Sequence, residues 1–135
     1  MSEITKGIAQ LCAEAEAEIE TWPVDKALAR LEDDAVVFVD VRELWREGTI
    51  PGALHVPRGM LEFWVDPESP YARDIFQSGK RFVFFCSMGW RSALAAKAVQ
   101  DMGLAPVCHI GGGFTAWREA GGAVETREQK PPKAK

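Results

Sequence analysis

The order of apolar and polar positions along the chain predicts short strands that alternate with helices. Apolar or β-branched runs predict strands, the first of them a short edge strand, at 19–22, 36–39, 54–56, 82–85 and 107–110. Helical spacing of apolar residues predicts helices at 4–18, 24–31, 93–102 and 114–120, a short polar helix at 42–47, and helical turns within 59–65 and 71–76. This alternation indicates a parallel sheet that is covered by helices on both faces.

The two ends of the chain differ from its centre. Residues 1–18 carry apolar side chains at helical spacing and glutamates mostly on other faces, which predicts an amphipathic helix appended to the domain. Residues 125–135 carry no large apolar side chain, which predicts a disordered tail. The domain itself is therefore expected over 19–124. The acidic face of the first helix is either a solvated surface or a docking surface for a partner.

Composition narrows the class of protein. The 135 residues carry a formal net charge of −4 without a basic stripe, which argues against nucleic-acid binding. The three cysteines form no CxxC pair and are odd in number, so we expect free thiols in a reducing compartment. No segment has the pattern of a signal peptide, and no apolar stretch approaches the ~18 residues of a membrane span. These features predict a cytoplasmic, single-domain protein that does not bind membranes.

One cysteine occupies a position suited to nucleophilic chemistry. Cys86 follows the predicted strand 82–85 and begins a short loop that leads into a helix. The carboxyl ends of strands in an open α/β sheet collect ligands, and the amino ends of helices favour anions. A thiolate at this point is expected to react near neutral pH. The alternative is a small buried side chain that only ends a core strand.

Four segments resemble, in order, the motifs of the rhodanese, or sulfurtransferase, family. They are Asp40-Val41-Arg42-Glu43 after a hydrophobic strand, the turn segment GTIPGALHVP at 48–57, the cysteine loop that ends in Arg91-Ser92, and GGGFTAW at 111–117. The resemblance covers roughly residues 20–123. It implies an α/β three-layer sandwich with a five-stranded parallel sheet and helices on both faces.

The resemblance also implies the chemistry and the roles of individual residues. Cys86 would take sulfane sulfur from a small donor as a persulfide and pass it to a thiol or cyanide, without a cofactor or a metal. The loop that binds the anion would contain Ser87, Met88, Gly89, Trp90, Arg91 and Ser92. Asp40 would fix this loop or Arg91, chiefly as a structural support. Arg42 would lie at the same end of the sheet, and an ion pair with a helix is its alternative role.

The identity of the sulfur donor is left open by the loop. Many thiosulfate-using members carry basic residues where this chain has Ser87 and Met88. A charge-assisted hydrogen bond contributes about 1.5–3 kcal/mol, so their loss weakens the case for thiosulfate and favours a persulfide donor.

A nearby segment is a candidate pocket lining. Arg58, Phe63 and Trp64 follow the turn motif, and they either line an apolar mouth or pack beneath a loop.

Two other functions remain alternatives. Cysteine phosphatases and arsenate-handling enzymes also join a cysteine to an arginine, but across five residues, whereas four separate Cys86 from Arg91. The shorter loop fits a sulfur atom better than a tetrahedral oxyanion, and no acidic residue flanks it as a leaving-group acid. A persulfide carrier for a protein partner is the other alternative, with the Glu-rich first helix and residues 60–64 as docking surfaces. Either a monomer or a homodimer is compatible with the sequence.

The remaining histidines and cysteines are expected to be structural. His55 and His109 lack metal-ligand spacing, which argues against zinc. His109 and its neighbour Cys108 should point to opposite faces of their strand. Cys12 and Cys108 are expected to be packed thiols, with a resolving role for Cys108 as the weaker alternative. The glycines at 111–113 should form a turn, because the Lys and Ser/Thr of a P-loop are missing.

Overall fold

The computed structural model describes residues 2–43 and 47–126. Within these residues the α-helices are α1 (Ile8–Glu18), α2 (Val24–Ala29), α3 (Leu61–Val65), α4 (Trp90–Asp101) and α5 (Gly113–Glu119). The strands are β1 (Glu20–Trp22), β2 (Val36–Asp40), β3 (Leu54–His55), β4 (Arg81–Phe85) and β5 (Val107–Ile110). Two short 3₁₀ turns, Arg58–Met60 and Asp74–Gln77, complete the regular structure.

The strands form one parallel sheet in the order β1-β5-β4-β2-β3. The predicted five-stranded parallel sheet is therefore confirmed, with β4 at its centre. The register pairs Asp40 with Phe85 and Phe84 with His109. Since parallel strands end at the same edge of a sheet, the residues that follow β2, β4 and β5 meet there.

Helices cover both faces of the sheet, which confirms the three-layer α/β arrangement. Along β4, Phe82 and Phe84 pack beneath α1, α3 and α4, whereas Val83 and Phe85 pack against α2 and α5. This alternation follows from the period of two along a strand. Trp117 of α5 is fully buried, and its ring meets Phe38 edge to face at 5.9 Å.

The first helix is shorter than predicted. It begins at Ile8 rather than at residue 4, because Gly7 has a low helix propensity and takes an extended conformation at the helix start. Ile4 is 81% exposed, and within α1 only Cys12 and Ala15 are buried. The apolar stripe of α1 is therefore narrower than the sequence predicts. This stripe, Cys12 and Ala15, lies on the side of α1 that packs against α4.

The polar helix predicted at 42–47 is wrong where the structure describes it. Arg42, Glu43 and Glu47 are not helical, and the rest of that segment lies outside the described residues. The amide of Arg42 instead donates to Asp40 Oδ1 at 3.0 Å, a local bond that competes with helix formation.

The folded part extends one residue beyond the predicted domain boundary. Glu125 pairs with Thr49 in an antiparallel bridge, and each amide donates to the other's carbonyl at 2.9 Å. The predicted tail from residue 127 onward lies outside the described residues.

Candidate active site

Cys86 lies at the centre of the sheet edge, where β4 turns into α4. The residue is only 1% exposed. Its Sγ accepts the amide of Gly89 at 3.2 Å and the amide of Ser92 at 3.4 Å, and it lies 3.7 Å from Ser92 Oγ. Converging backbone amides of this kind bind anions in other proteins. The arrangement suits a sulfur atom that carries negative charge.

The helix after the loop begins earlier than predicted. Gly89 has a φ of +109°, a conformation that favours glycine, and it turns the chain so that α4 starts at Trp90 instead of residue 93. Trp90, Arg91 and Ser92 therefore form the first helical turn. The first amides of a helix have no partner within the helix, and the helix dipole adds partial positive charge there. Both effects favour an anionic sulfur on Cys86.

The amino end of α5 binds the backbone of the loop that follows Cys86. The amides of Phe114 and Thr115 donate to the carbonyl oxygens of Cys86 and Ser87 at 2.8 and 3.0 Å. A side chain at Gly113 would place its Cβ 2.5 Å from the Cys86 oxygen, and this glycine has a φ of +61°. The glycine run thus forms the predicted turn, and it also fixes the loop, which the sequence analysis did not foresee.

The loop side chains leave an apolar entrance. Met88 is 67% exposed and Trp90 is 50% exposed. Arg91 Nη2 donates to Ser87 Oγ at 3.3 Å, which closes the loop with a side-chain bridge. Among the described residues, no Lys or Arg side chain donates a hydrogen bond to Cys86 Sγ. The contacts to the sulfur therefore come from main-chain amides and one hydroxyl.

Asp40 supports the site indirectly, and the expected contact with Arg91 is not made. Its carboxylate accepts Arg42 Nε and Nη2 at 2.9 and 2.7 Å and the hydroxyl of Thr49 at 2.8 Å. The Arg42 guanidinium is buried and lies 4.6 Å from the ring centre of Phe114. Asp40 and Arg42 thus brace the start of α5, which in turn holds the loop. The Arg42 amide also donates to Asp40 Oδ1 at 3.0 Å, and this local bond keeps Arg42 beside Asp40.

The three candidate pocket residues lie in the 3₁₀ turn at Arg58–Met60 and in α3. Arg58 pairs with Glu62 at 2.8 Å, Phe63 is 52% exposed, and Trp64 is covered by the guanidinium of Arg73 at 4.0 Å. These are local contacts, so a role of Arg58, Phe63 and Trp64 in lining the site stays a prediction.

A cleft of about 550 Å³ lies at the other end of the sheet, between α4 and the segment after α3. It is lined by residues such as Gly79, Gly103 and Ala105, and it does not include Cys86. We therefore assign the candidate site by its chemistry and not by the size of a cavity.

The other two thiols are buried away from solvent. Burial raises the pKa of Cys108 to about 12 despite the nearby Arg81, and it also raises the pKa of Cys12. Cys108 packs in the core beneath α2 and α5, whereas His109 faces α4. The predicted opposite orientation of these neighbours is confirmed. The raised pKa of Cys108 argues against a resolving role.

His109 joins the site by a contact that the sequence analysis missed. Its Nδ1 lies 3.0 Å from Ser92 Oγ, directly behind Cys86. Burial lowers the pKa of His109, and Glu16 partly opposes that effect. The only sequence signal was the place of His109 next to the carboxyl end of the predicted strand 107–110, because the sequence did not predict that β5 lies beside β4.

The described part of the chain lacks two other features. No group of three His, Cys, Asp or Glu residues there could hold a metal ion. No helix there is long and apolar enough to cross a membrane.

Comparisons with known proteins agree with the geometry. The family model of the rhodanese-like domain matches residues 23–120. The chain is 31% identical over 106 residues to a sulfurtransferase of Allochromatium vinosum, covering 77% of this chain and 90% of that protein. It is 31% identical over 84 residues to the human thiosulfate:glutathione sulfurtransferase, covering 58% and 73% of the two chains. The chain therefore belongs to the rhodanese-like domain family.

A solved structure is more similar still. It is a protein of unknown function, a possible tyrosine phosphatase, from Rhodopseudomonas palustris. The two chains are 54% identical with a TM-score of 0.88, and the match covers 93% of this chain and 98% of the other.

The two hydrogen bonds from Phe114 and Thr115 of α5 to the loop, called the clamp below, lead to a first prediction. Gly113→Ala should lower the free energy of unfolding by more than the ~1–2 kcal/mol of a left-handed non-glycine residue, because its Cβ also meets two carbonyl oxygens. It should slow alkylation of Cys86 as well. Gly121→Ala is the matched control, since Gly121 has a φ of +82° with open space around its Cβ. Equal unfolding free energies for the two variants, measured in urea, would contradict the clamp.

The buried ion pair leads to a second prediction. Asp40→Asn leaves the Arg42 charge without its partner and should cost about 3–5 kcal/mol in the free energy of unfolding. Glu14→Gln, which breaks an exposed pair with Lys6, should have little effect. Urea denaturation compares them. A stability of Asp40→Asn close to that of the unaltered protein would show that Asp40 is not the brace inferred here.

Proposed function

We propose that this protein is a sulfurtransferase that carries sulfane sulfur as a persulfide on Cys86. One observation supports this most: a buried sulfur faces two main-chain amides within 3.4 Å, at the junction of the central strand and a helix. Such a position stabilises an anionic sulfur without a metal or a side-chain cation. The membership in the rhodanese-like family and the two sulfurtransferase relatives agree with it.

The reaction consists of two displacements at sulfur. The Cys86 thiolate attacks the outer sulfur of a donor such as RSSH, a new S–S bond forms, and the donor's S–S bond breaks with its electron pair on RS⁻. An acceptor thiolate or cyanide then attacks the outer sulfur of the Cys86 persulfide. The electron pair of that S–S bond returns to Sγ, so no external oxidant or reductant is needed. The loop amides stabilise the anionic sulfur throughout.

The loop favours a persulfide over thiosulfate as the donor. Thiosulfate is a small dianion, and no Lys or Arg side chain of the described residues hydrogen-bonds to Sγ. The exposed Met88 and Trp90 offer apolar surface to a larger organic donor. A low-molecular-weight thiol is a fitting acceptor, as the name of the human relative suggests for that protein. The free thiols suit work in a reducing compartment such as the cytoplasm.

Two other functions, a phosphatase and a persulfide carrier, each have a specific observation in their favour. The Rhodopseudomonas palustris protein is a possible tyrosine phosphatase, which favours phosphate chemistry. Against it, the loop has four residues between Cys86 and Arg91, and no Asp or Glu of the described residues hydrogen-bonds to the loop as a general acid. A persulfide carrier is the other alternative, because Met88 and Trp90 would also suit docking of a protein partner.

Sulfur uptake is the third prediction. Incubation with glutathione persulfide or thiosulfate should increase the intact mass of the protein by one sulfur atom, and a thiol should reverse the gain. Cys86→Ala should show no gain, whereas Cys108→Ala should behave like the unaltered protein because that thiol is buried and protonated. If no donor adds sulfur at Cys86, the sulfurtransferase proposal fails. A stable persulfide that small thiols do not discharge would favour the carrier.

Donor preference is the fourth prediction. We expect a kcat/KM for glutathione persulfide at least about tenfold above that for thiosulfate, since one missing charge-assisted hydrogen bond is worth ~1.5–3 kcal/mol. Introducing a cation with Ser87→Lys should raise the thiosulfate value more than the persulfide value. A clear thiosulfate preference in the unaltered protein would reject this donor assignment. Aryl phosphate hydrolysis that is lost in Cys86→Ser would instead favour the phosphatase.

A further inference from the structure

A row of polar side chains leads from Cys86 to the helix α1. Ser92 Oγ lies 3.7 Å from Cys86 Sγ and 3.0 Å from His109 Nδ1. On the other side of the ring, His109 Nε2 lies 3.7 Å from Glu16 Oε2. Ser92 and His109 are buried, whereas the Glu16 side chain is 44% exposed. The row therefore connects a buried nucleophile with the protein surface.

The direction of the hydrogen bonds follows from Glu16. His109 Nε2 is buried and has no hydrogen-bond partner at its present distance from the carboxylate. A lone pair on Nε2 would face the carboxylate oxygen unfavourably, so the proton of the neutral ring belongs on Nε2. Nδ1 then accepts the hydroxyl proton of Ser92 at 3.0 Å, in place of the carbonyl oxygen of Gly89, which lies 3.2 Å from Ser92 Oγ. The Ser92 oxygen is left to accept the S–H of Cys86, so the hydroxyl and ring donors of this row point away from the sulfur.

We propose that His109 is a positioning residue that takes up the proton of the Cys86 thiol through the hydroxyl of Ser92, with Glu16 holding the resulting imidazolium. The thiol proton passes to Ser92 Oγ while the Ser92 proton passes to His109 Nδ1, and the electron pair of the S–H bond stays on sulfur. Ser92 then donates its new hydroxyl proton to the thiolate. The attack of that thiolate on a sulfur donor rests on the proposed function, whereas the proton transfer itself does not.

The groups around His109 are consistent with this role. Burial lowers the pKa of His109, so the ring starts neutral, and Glu16 acts in the opposite direction, raising the pKa and stabilising the imidazolium that the proposal requires. Cys12, on α1, stays a protonated thiol because burial raises its pKa. Lys97, on α4, is held by Glu18 and Asp101.

On the strands that flank β5, the charged residues Glu20 and Arg81 pair with each other at 2.7 Å. Among the described residues, Glu16 is thus the charge that acts on His109.

The test measures the rate at which iodoacetamide alkylates Cys86 in the full chain, from mildly acidic to alkaline pH, by mass spectrometry of the Cys86 peptide. In the unaltered protein, uptake of the proton by His109 should raise the alkylation rate near neutral pH relative to the rate at alkaline pH. His109→Asn retains a hydrogen-bonding group but cannot hold the proton. Its rate should fall about tenfold at neutral pH, equivalent to a shift of one pH unit, and recover at alkaline pH.

Further variants test the roles of Ser92 and Glu16 separately. Ser92→Ala should reproduce the profile of His109→Asn, because it interrupts the same path. Glu16→Gln should lie between the two profiles. Glu14→Gln, on the same helix but paired with Lys6, should match the unaltered protein. Thermal unfolding checks that each variant is folded.

Two results would overturn the proposal. One is a profile of His109→Asn that coincides with that of the unaltered protein. The other is a rate reduced by the same factor at every pH, which would mark His109 as merely structural. Alkylation does not depend on sulfur transfer, so the two proposals can fail separately. If the profile of His109→Asn is shifted but the unaltered protein takes up no sulfur, the proposed function is rejected and the proton transfer to His109 is retained.

Discussion

Two backbone hydrogen bonds hold the start of the loop that follows Cys86. The amides of Phe114 and Thr115 bind the carbonyl oxygens of Cys86 and Ser87, so these two carbonyls face α5 and not the sulfur. The amides of Gly89 and Ser92 can then converge on Sγ. The loop needs no metal to gather donors around an anion, because the chain itself supplies them. The donors around Sγ depend on this arrangement.

The rest of the fold keeps α5 and α4 in place around that loop. Trp117 anchors α5 in one core layer, and the buried Asp40–Arg42 pair braces its amino end through the ring of Phe114. On the opposite face, α1 packs onto α4 and places Glu16 beside His109. A buried ion pair is costly to assemble, and its position here behind a functional loop suggests that it serves geometry more than stability.

The sequence predicted those features that depend on residues close together in the chain. The apolar run of β4, Cys86 and the glycine after it are adjacent in the chain, so the strand, the loop and the sulfur position followed from a single segment. The partner of Asp40 did not, since a carboxylate at a strand end has several cations within possible reach and only the fold selects Arg42. His109 and Glu16 belong to segments far apart in the chain, and only the packing of α1 on α4 brings them together. The start of α4 was missed because the helical apolar pattern begins only at Ala93, whereas the chain turns into the helix at Gly89.

Sulfur transfer through Cys86 can be followed in a single-turnover experiment with isotopically labelled sulfane sulfur. Protein loaded from a labelled persulfide donor is freed of excess donor and mixed with an acceptor thiol. The label should be found on Cys86 at one atom per chain and should move to the acceptor as it leaves the cysteine. Labelling of the acceptor to the same extent with Cys86→Ala, or a label that never leaves Cys86 for any acceptor, would contradict the account.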